Sequence, residues 1–210
     1  MKEWTEYRTV KRQACAEFVE RKSRFIGWAK PVTSDEEAVA FINSVKAEHR
    51  EATHNVYAYS LRTGQIKRYS DDGEPQGTAG IPTLDVILKS EVTDVAVVVT
   101  RYFGGILLGT GGLVRAYSHA ASIALEQAGI VTMHPGVTAR VSCDYASYGK
   151  IASLIPENGG VIDDTVFTEA VEILFHIGVE RVSDFQRQLA DATCGKYSAE
   201  IQTQKYFEDF

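Results

Sequence analysis

Arginines, aromatic residues and glycines are concentrated in one segment, residues 100–117, whose sequence is TRYFGGILLGTGGLVRAY. Guanidinium groups bind phosphates and carboxylates, and aromatic rings stack on unpaired bases. Glycines let other groups approach the main chain closely, and the N–H groups at the start of a helix attract anions. The segment therefore predicts a site for an anion or for nucleic acid. Its candidate residues are Arg101, Tyr102, Phe103, Gly104, Gly105, Gly109, Gly111, Gly112 and Arg115.

The same segment lacks the features of the two standard nucleotide-binding loops. No Gly-Lys-Ser or Gly-Lys-Thr follows the glycines, and the spacing that begins Gly109-x-Gly111 has Val114 where the dinucleotide loop has a third glycine. We therefore expect no bound cofactor. A purely structural role for the glycines stays open. Tyr102 and Phe103 are neighbours in a predicted strand, so they point to opposite faces and at least one packs in the core.

Three carboxylates, those of Asp71, Asp72 and Glu74, surround Gly73 in the sequence SDDGEP. Such a cluster suits a metal ion or acid and base catalysis, but the spacing differs from that of an EF-hand loop. Asp-Asp-Gly is also an ordinary turn, in which aspartate side chains bond to nearby main-chain groups. Both interpretations stay open, and we treat the acidic loop as an accessory element of the predicted site.

The sequence predicts neither a metal site nor a catalytic residue. The spacing of His49 and His54 matches no compact zinc motif, and capping or partial burial is the simpler role for both. The Gly-x-Ser-x-Gly elbow is absent, and nothing marks a nucleophile. We therefore expect a protein that binds rather than catalyses.

Basic residues cluster in the sequence RKSR at residues 21–24, in the turn of a predicted hairpin. Lys22 and Arg24 join the predicted binding surface, because a cationic hairpin tip can dock a phosphate backbone. A solvated turn is the alternative. The binding role requires the fold to place this cluster beside Arg101 and Arg115.

Charge is distributed unevenly along the 210 residues, whose formal net charge is −6. Residues 1–134 carry 16 lysines and arginines and 16 aspartates and glutamates, whereas residues 135–210 carry 6 and 12. Binding to phosphates releases counterions through Lys and Arg. Contacts with nucleic acid are therefore expected from the first part of the chain.

The composition is that of an ordinary globular protein, with 44% hydrophobic and 24% charged residues. No segment has the apolar length of a membrane span, and the N-terminal residues show no apolar run after their charges. We expect a cytoplasmic protein with no membrane partner. The three cysteines are far apart in the sequence, and we expect them to be reduced and mostly buried.

The chain is predicted to form two domains, residues 1–134 and 135–210, divided at the Pro-Gly pair of MHPGV. In the first, the pattern predicts strands at residues 15–19, 25–32, 55–61 and 94–100, and helices at residues 34–49, 82–88 and 113–128. In the second, it predicts strands at residues 137–143, 161–167, 171–177 and 197–203, and helices at residues 145–155 and 183–193. That order, βαββαβ, is ferredoxin-like.

Several of these segments together resemble the IMPACT family, in its YigZ-like bacterial branch. The resemblance rests on KSRF (residues 22–25), HNVYAY (54–59), SDDGEP-GTAG-P (70–82) and VVVTRYFGGI-LG-GGLVRAY (97–117). It covers the whole first domain and, more loosely, the second, which is similar to a domain of translocase-type elongation factors. The resemblance implies an α+β protein, with an α/β sandwich of the ribosomal-protein domain-two type followed by a ferredoxin-like domain.

The resemblance also implies a link to translation. Proteins related to the first domain by fold often contact RNA or the ribosome, which is an argument by analogy. The expected function is therefore regulation of translation by a non-enzymatic protein that contacts RNA, the ribosome or a translation factor. The alternative is an enzyme or sensor for a phosphorylated small molecule at the same loop, with the three carboxylates of the acidic loop as acid, base or metal groups. The sequence leaves the oligomeric state open.

Overall fold

The computed structural model describes residues 4–208 of the 210. Their contacts divide the chain into two compact units. One is residues 7–132, and the other joins residues 4–6 to the chain from Met133 onward. The division falls close to the predicted boundary after His134, but it groups residues 4–6 with the C-terminal unit. None of the helices within residues 4–208 has the length and apolar character of a membrane span.

The N-terminal unit contains both strands and helices. Its strands are β1 (Tyr7–Val10), β2 (Ala14–Glu20), β3 (Ser23–Pro31), β4 (His54–Leu61), β5 (Ile66–Ser70) and β6 (Val95–Tyr102). Its helices are α1 (Asp35–Glu48), α2 (Gly80–Lys89) and α3 (Thr110–Ala128). Five of the strands form an antiparallel sheet in the order β2-β3-β6-β4-β5. Helices α2 and α3 pack on one face of this sheet, and α1 packs on the other.

Strand β6 is the centre of the sheet because its apolar, β-branched residues suit burial on both faces. Val97 and Val99 belong to the core beneath α2 and α3, whereas Ala96 and Val98 belong to the core beneath α1. The same alternation of side chains between the two faces of the sheet continues beyond Val99 to the end of β6. Arg101 therefore lies on the α2 and α3 face of the sheet.

Helix α3 buries the narrow face of small residues that its sequence predicts. Ala120 and Ala124 are fully buried against the sheet, as is Tyr117. The helix begins at Thr110, one turn before the predicted start at Leu113. Its first turn is therefore built from the glycines of the segment at residues 100–117.

The C-terminal unit continues from β7 (Ile130–Cys143), which starts in the N-terminal unit. It then contains α4 (Tyr145–Glu157), β8 (Val161–Phe167), β9 (Val171–Gly178), α5 (Val182–Thr193) and β10 (Glu200–Phe207). The antiparallel strand order is β10-β7-β9-β8, and the apolar residues of α4 and α5 pack with those of the sheet. This βαββαβ arrangement is ferredoxin-like. The two-domain α+β fold predicted from the sequence is confirmed.

Two local expectations from the sequence are wrong, and two short strands were not predicted. Pro135 and Gly136 lie within β7, where the sequence predicted a break. The pairing of β7 with β9 begins only at Gly136, so Pro135, which has no N–H to donate, lies at the end of that ladder and is tolerated there. The short strands β1 and β5 have no counterpart among the predicted strands. Cys15 and Cys194 are exposed free thiols, and Cys143 is the buried one.

Candidate nucleic-acid interface

Arg101 lies at the end of β6 and is buried, with 5% of its surface exposed. Its Nη1 donates to Oε1 of Glu74 at 2.6 Å, and its Nη2 lies 3.5 Å from Oγ of Ser23. The guanidinium carbon is 5.5 Å from the ring centre of Phe25 and 5.4 Å from that of Phe103. The sequence suggested a free cation at this position. The structure instead has a buried, paired one, because the alternation of β6 directs the side chain toward α3.

Glu74 joins the acidic loop to the glycine-rich segment at a single site. Besides Arg101, its Oε1 accepts a hydrogen bond from the hydroxyl of Tyr117 at 2.7 Å. Burial, reinforced by the negative charge of Glu74, raises the pKa of Tyr117 well above its ordinary range. Nε2 of His54 lies 3.8 Å from the same oxygen. One carboxylate therefore pairs with an arginine and a tyrosine and lies near a histidine.

His54 presents a defined ring nitrogen to this site. Its Nδ1 lies 2.8 Å from the main-chain oxygen of Asp72, which can only accept a hydrogen bond, so Nδ1 carries the proton. In the neutral ring, Nε2 is then an acceptor. At 3.8 Å from Glu74 it is too distant for a hydrogen bond to that carboxylate.

Asp71 and Asp72 stabilise the fold rather than lining a chemical site. The carboxylate of Asp71 accepts hydrogen bonds from the main-chain N–H groups of Gly77, Ala79 and Gly80, at the start of α2. Asp72 accepts from Nζ of Lys46 and from the main chain of β4. Of the two interpretations of the acidic loop, the turn and capping role describes these two residues, and Glu74 alone contacts the glycine-rich segment.

Tyr102 is separated from the other members of the predicted surface. Its hydroxyl lies 2.9 Å from Nδ1 of His49, which follows α1 on the opposite face of the sheet. Phe103 lies on the side of Arg101 and is 45% exposed. The sequence placed both aromatics in one surface. The structure divides them because adjacent residues of a strand point to opposite faces.

Two glycines of the segment are explained by different structural features. A Cβ atom on Gly104 would lie 2.0 Å from the carbonyl carbon of Lys22, so the turn between β2 and β3 requires a bare main chain there. Gly109 precedes α3 with a φ of +72°, a conformation that disfavours residues with side chains. Gly105 lies in the exposed loop, and Gly111 and Gly112 lie in the first turn of α3.

The first turn of α3 has no side-chain cap. Its leading main-chain N–H groups have no acceptor within the helix, and the helix dipole adds partial positive charge there. The preceding loop is unusually apolar for an exposed segment, since Ile106 is 40% and Leu107 80% exposed. The start of α3 is thus an uncapped helix terminus beside exposed apolar side chains.

Two cavities open at this helix terminus. The first, which we call the arginine cavity, has a volume of about 250 Å³. It is lined by Arg21, Arg115, His119, Glu20, Phe18 and Gly112, among others. The second, which we call the glutamate cavity, has a volume of about 430 Å³. Its lining includes His54, Glu74, Arg101, Phe103, Leu107 and Thr110. Leu108 borders both cavities, so they are adjacent.

The basic cluster at residues 21–24 reaches this site through Arg21, a member of the cluster that was not among the predicted binding residues. Arg21 lines the arginine cavity with Arg115, and Lys22 is exposed beside it in the turn. Arg24 instead pairs with Glu17 on the neighbouring strand, with Nε 3.0 Å from Oε2. The turn packs against the loop before α3, where Gly104 allows its close approach.

Sequence reasoning also missed the roles of His54 and Tyr117. Both residues lie within segments that carry the resemblance to the IMPACT family, HNVYAY and GGLVRAY. Their position in these motifs was the sequence signal that could have indicated their roles. Within residues 4–208, no group of three or more His, Cys, Asp or Glu side chains is arranged to hold a metal ion. Whether the predicted residues bind an anion or nucleic acid stays a prediction.

Comparisons with known proteins match both units of the chain. Residues 21–125 match the family model described as the Impact N-terminal domain, and residues 141–196 match one described as a domain of unknown function, DUF1949. The IMPACT family member YvyE of Bacillus subtilis is 39% identical over 90% of this chain and 88% of its own length. The IMPACT family member YigZ of Escherichia coli is 37% identical over 83% of this chain and 87% of its own length.

A solved structure agrees with these matches. The crystal structure of a hypothetical protein superposes with a TM-score of 0.60 at 33% sequence identity, over 94% of this chain and 98% of that one. Proteins named as IMPACT homologues in Dictyostelium discoideum and Saccharomyces cerevisiae match a shorter part of the chain, 43% in each case. With one family model matched across residues 21–125 and bacterial members matched over most of their length, this chain belongs to the IMPACT family.

Proposed function

We propose that this protein is a cytoplasmic, non-enzymatic RNA-binding protein that acts in the regulation of translation, and that RNA phosphates bind in the arginine cavity. Membership of the IMPACT family supports the link to translation. The observation that carries the proposal is that Arg21 and Arg115, from the β2–β3 turn and from α3, line one cavity.

The charges of the arginine cavity favour an anion. Arg115 is exposed and forms no ion pair with any residue of the described chain. Glu20 is the one carboxylate in the lining, and it lies 3.9 Å from Arg21 as an exposed pair, which offsets little. The uncapped first turn of α3, including Gly112, adds main-chain N–H donors. Phosphate groups are bound by such combinations of guanidinium and helix N-terminus.

The surroundings of the cavity favour RNA over an isolated anion. Lys22 extends the positive charge along the β2–β3 turn. Phe103 offers an exposed ring on the adjacent side of the α3 terminus, where an unstacked base can bind. The enzymatic alternative has weaker support, because two of its three acid or base candidates, Asp71 and Asp72, accept hydrogen bonds from main-chain groups of the fold.

The test is the binding of a fluorescently labelled single-stranded RNA, measured by anisotropy over a range of salt concentrations. For the wild-type protein, the affinity should fall steeply with salt. For the double variant Arg21→Ala/Arg115→Ala, the affinity should drop and the slope of log K against log salt should decrease by about 1.4, since each phosphate contact on a single strand contributes about 0.7.

The matched control is Arg140→Ala/Arg187→Ala, which makes the same change in net charge with two arginines that lie on β7 and α5. It should bind RNA as the wild-type protein does. Equal losses in the two double variants would assign the binding to net charge and contradict the proposed surface. Absence of RNA binding by the wild-type protein would contradict the proposed function itself.

A further inference from the structure

We propose that the glutamate cavity binds a guanine base of the RNA strand whose phosphate occupies the arginine cavity. The inference rests on the proposed function, and it assigns a ligand to a cavity that phosphate binding leaves empty. The volume of about 430 Å³ lies within the range of small-molecule sites, about 300–1,000 Å³.

The floor of the cavity is polar and its walls are apolar. Glu74 and Arg101 have side chains 3% and 6% exposed, and the His54 side chain is 19% exposed, so these three are the least exposed polar side chains of the lining. Phe103 and Leu107 are far more exposed and form the walls at the mouth. A ligand that fits has flat apolar faces and a polar edge that reaches inward. A nucleobase has this shape and chemistry.

The polar floor offers two acceptors and one donor group. One acceptor is Nε2 of His54, whose ring is oriented by the bond from Nδ1 to Asp72. The other is Oε2 of Glu74, because the hydrogen bonds from Arg101 and Tyr117 both go to Oε1. The donor group is the guanidinium of Arg101. It carries five N–H bonds, and two of them are directed at Glu74 and Ser23.

Guanine is the base whose Watson–Crick edge complements this floor. That edge presents two donors, N1–H and the N2 amino group, beside one acceptor, O6. The donors suit Glu74 and His54, and O6 suits Arg101, since arginine is a common partner of guanine O6. Uracil presents two acceptors around one donor, so its carbonyl oxygens would face the acceptors of the cavity.

The arginine cavity is placed to bind the phosphate of a nucleotide whose base lies in the glutamate cavity. Thr110 and Leu113 of α3 line the glutamate cavity, whereas Gly112 and Arg115 line the arginine cavity. The two sets overlap within two turns of one helix, which rises about 5.4 Å per turn. A base in one cavity and a phosphate in the other can thus belong to the same nucleotide or to neighbouring ones.

The experiment compares seven-nucleotide uridylate strands that differ at the central position, which is guanosine, inosine, uridine or an abasic ribose. Anisotropy is measured at one salt concentration. The guanosine strand should bind at least tenfold more tightly than the uridine and abasic strands, the discrimination expected of one bidentate base contact. The inosine strand, which lacks the N2 amino group, should fall between them.

Variants then locate the preference. Phe103→Ala removes a wall and should weaken binding of the guanosine strand by about fivefold or more, the cost of one base–aromatic stack, and so reduce the preference over the uridine strand. Phe167→Ala makes the same change at a phenylalanine of β8 that is 53% exposed, and it should retain the preference. Circular dichroism of both variants verifies that they are folded.

The outcomes separate this inference from the proposed function. If all four strands bind equally, with affinity that depends on salt and on Arg21 and Arg115, the phosphate site stands and the guanine pocket is wrong. If no strand binds, both proposals are wrong. If free guanosine monophosphate binds as tightly as the guanosine strand, the pocket is supported and RNA is not its ligand.

Discussion

Arg101 and Glu74 form a buried ion pair, with Nη1 2.6 Å from Oε1, between the end of β6 and the loop before α2. The pair is enclosed by the ring of Phe25 and receives the hydroxyl of Tyr117. Its burial makes it a determinant of stability as well as the floor of the glutamate cavity. A buried charge without its partner is strongly unfavourable.

Arg101→Met should therefore destabilise the N-terminal unit by about 3–5 kcal/mol, because Glu74 would remain buried and lose its counter-charge. Urea unfolding followed by circular dichroism measures the change. The double variant Arg101→Met/Glu74→Gln should be more stable than Arg101→Met, since it leaves no unpaired charge. A loss below about 1 kcal/mol in Arg101→Met would mean that the pair is solvated in solution.

Tyr117→Phe removes one donor from Glu74 and leaves the packing of the ring on Phe25 intact. A hydrogen bond to a charged group contributes about 1.5–3 kcal/mol, so the free energy of unfolding should fall by that amount. Urea unfolding measures it. The control Tyr69→Phe alters a tyrosine that is 47% exposed and should have no measurable effect.

Asp71→Ala removes three hydrogen bonds to main-chain N–H groups at the start of α2. Loss of a helix cap costs about 0.5–2 kcal/mol, and the upper end is expected because three donors lose their acceptor. Asp85→Ala removes an exposed carboxylate from the same helix and should change stability little. Thermal unfolding of both variants makes the comparison. Equal melting temperatures would contradict the capping role.

Gly104→Ala places a methyl group 2.0 Å from the carbonyl carbon of Lys22. The turn between β2 and β3 would have to move, at a cost of about 2–3 kcal/mol. In Gly111→Ala the nearest atom is the Arg115 guanidinium at 3.7 Å, and the helix should gain about 0.5–1 kcal/mol. Opposite signs in urea unfolding support the assignment, and equal signs contradict it.

The stability of the N-terminal unit should fall at alkaline pH through Tyr59. Burial, together with the hydrogen bond to Asp35 at 2.6 Å, raises the pKa of Tyr59 from 10.0 to about 12. Below pH 10 the hydroxyl is protonated in the folded and unfolded states, and its stabilising contribution is complete. Between pH 10 and 12 only the unfolded chain releases the proton, so the contribution is lost as the pH rises.

The measurement is urea unfolding of the wild-type protein and Tyr59→Phe between pH 8 and 12. The variant should be less stable by about 1 kcal/mol at pH 8, the net value of one hydrogen bond. This difference should shrink above pH 10. A difference that is constant with pH would show that Tyr59 keeps its ordinary pKa in the folded protein.

Regular elements were largely predictable because their signals are local. The run DVAVVVT marks the central strand, and Ser34 caps α1 by accepting a hydrogen bond from the N–H of Glu37. The small-residue face of α3 follows from its 3.6-residue period. One local prediction, the break in the chain at Pro135, was wrong. Pro135 indicated a break, but a proline is tolerated where the ladder on one side ends.

The site was predictable in residue types but not in arrangement. The sequence indicated the acidic loop, the basic turn and the glycine-rich segment, each with a functional and a structural interpretation. Choosing between them required contacts between residues far apart in the chain. Glu74 meets Arg101 across 27 positions, and the main-chain N–H of Gly104 bonds to the Ser23 hydroxyl across 81.

By itself, the sequence determined the family and the two-domain α+β fold, because these depend on hydrophobic period and on long motifs. The tertiary structure determined which charged side chains are buried or paired and which remain exposed. It buried Arg101 against Glu74, assigned Asp71 to a helix cap and brought Arg21 beside Arg115. The physical reason is that the pairing and burial of a charge depend on neighbours supplied by other strands and helices, which local sequence does not specify.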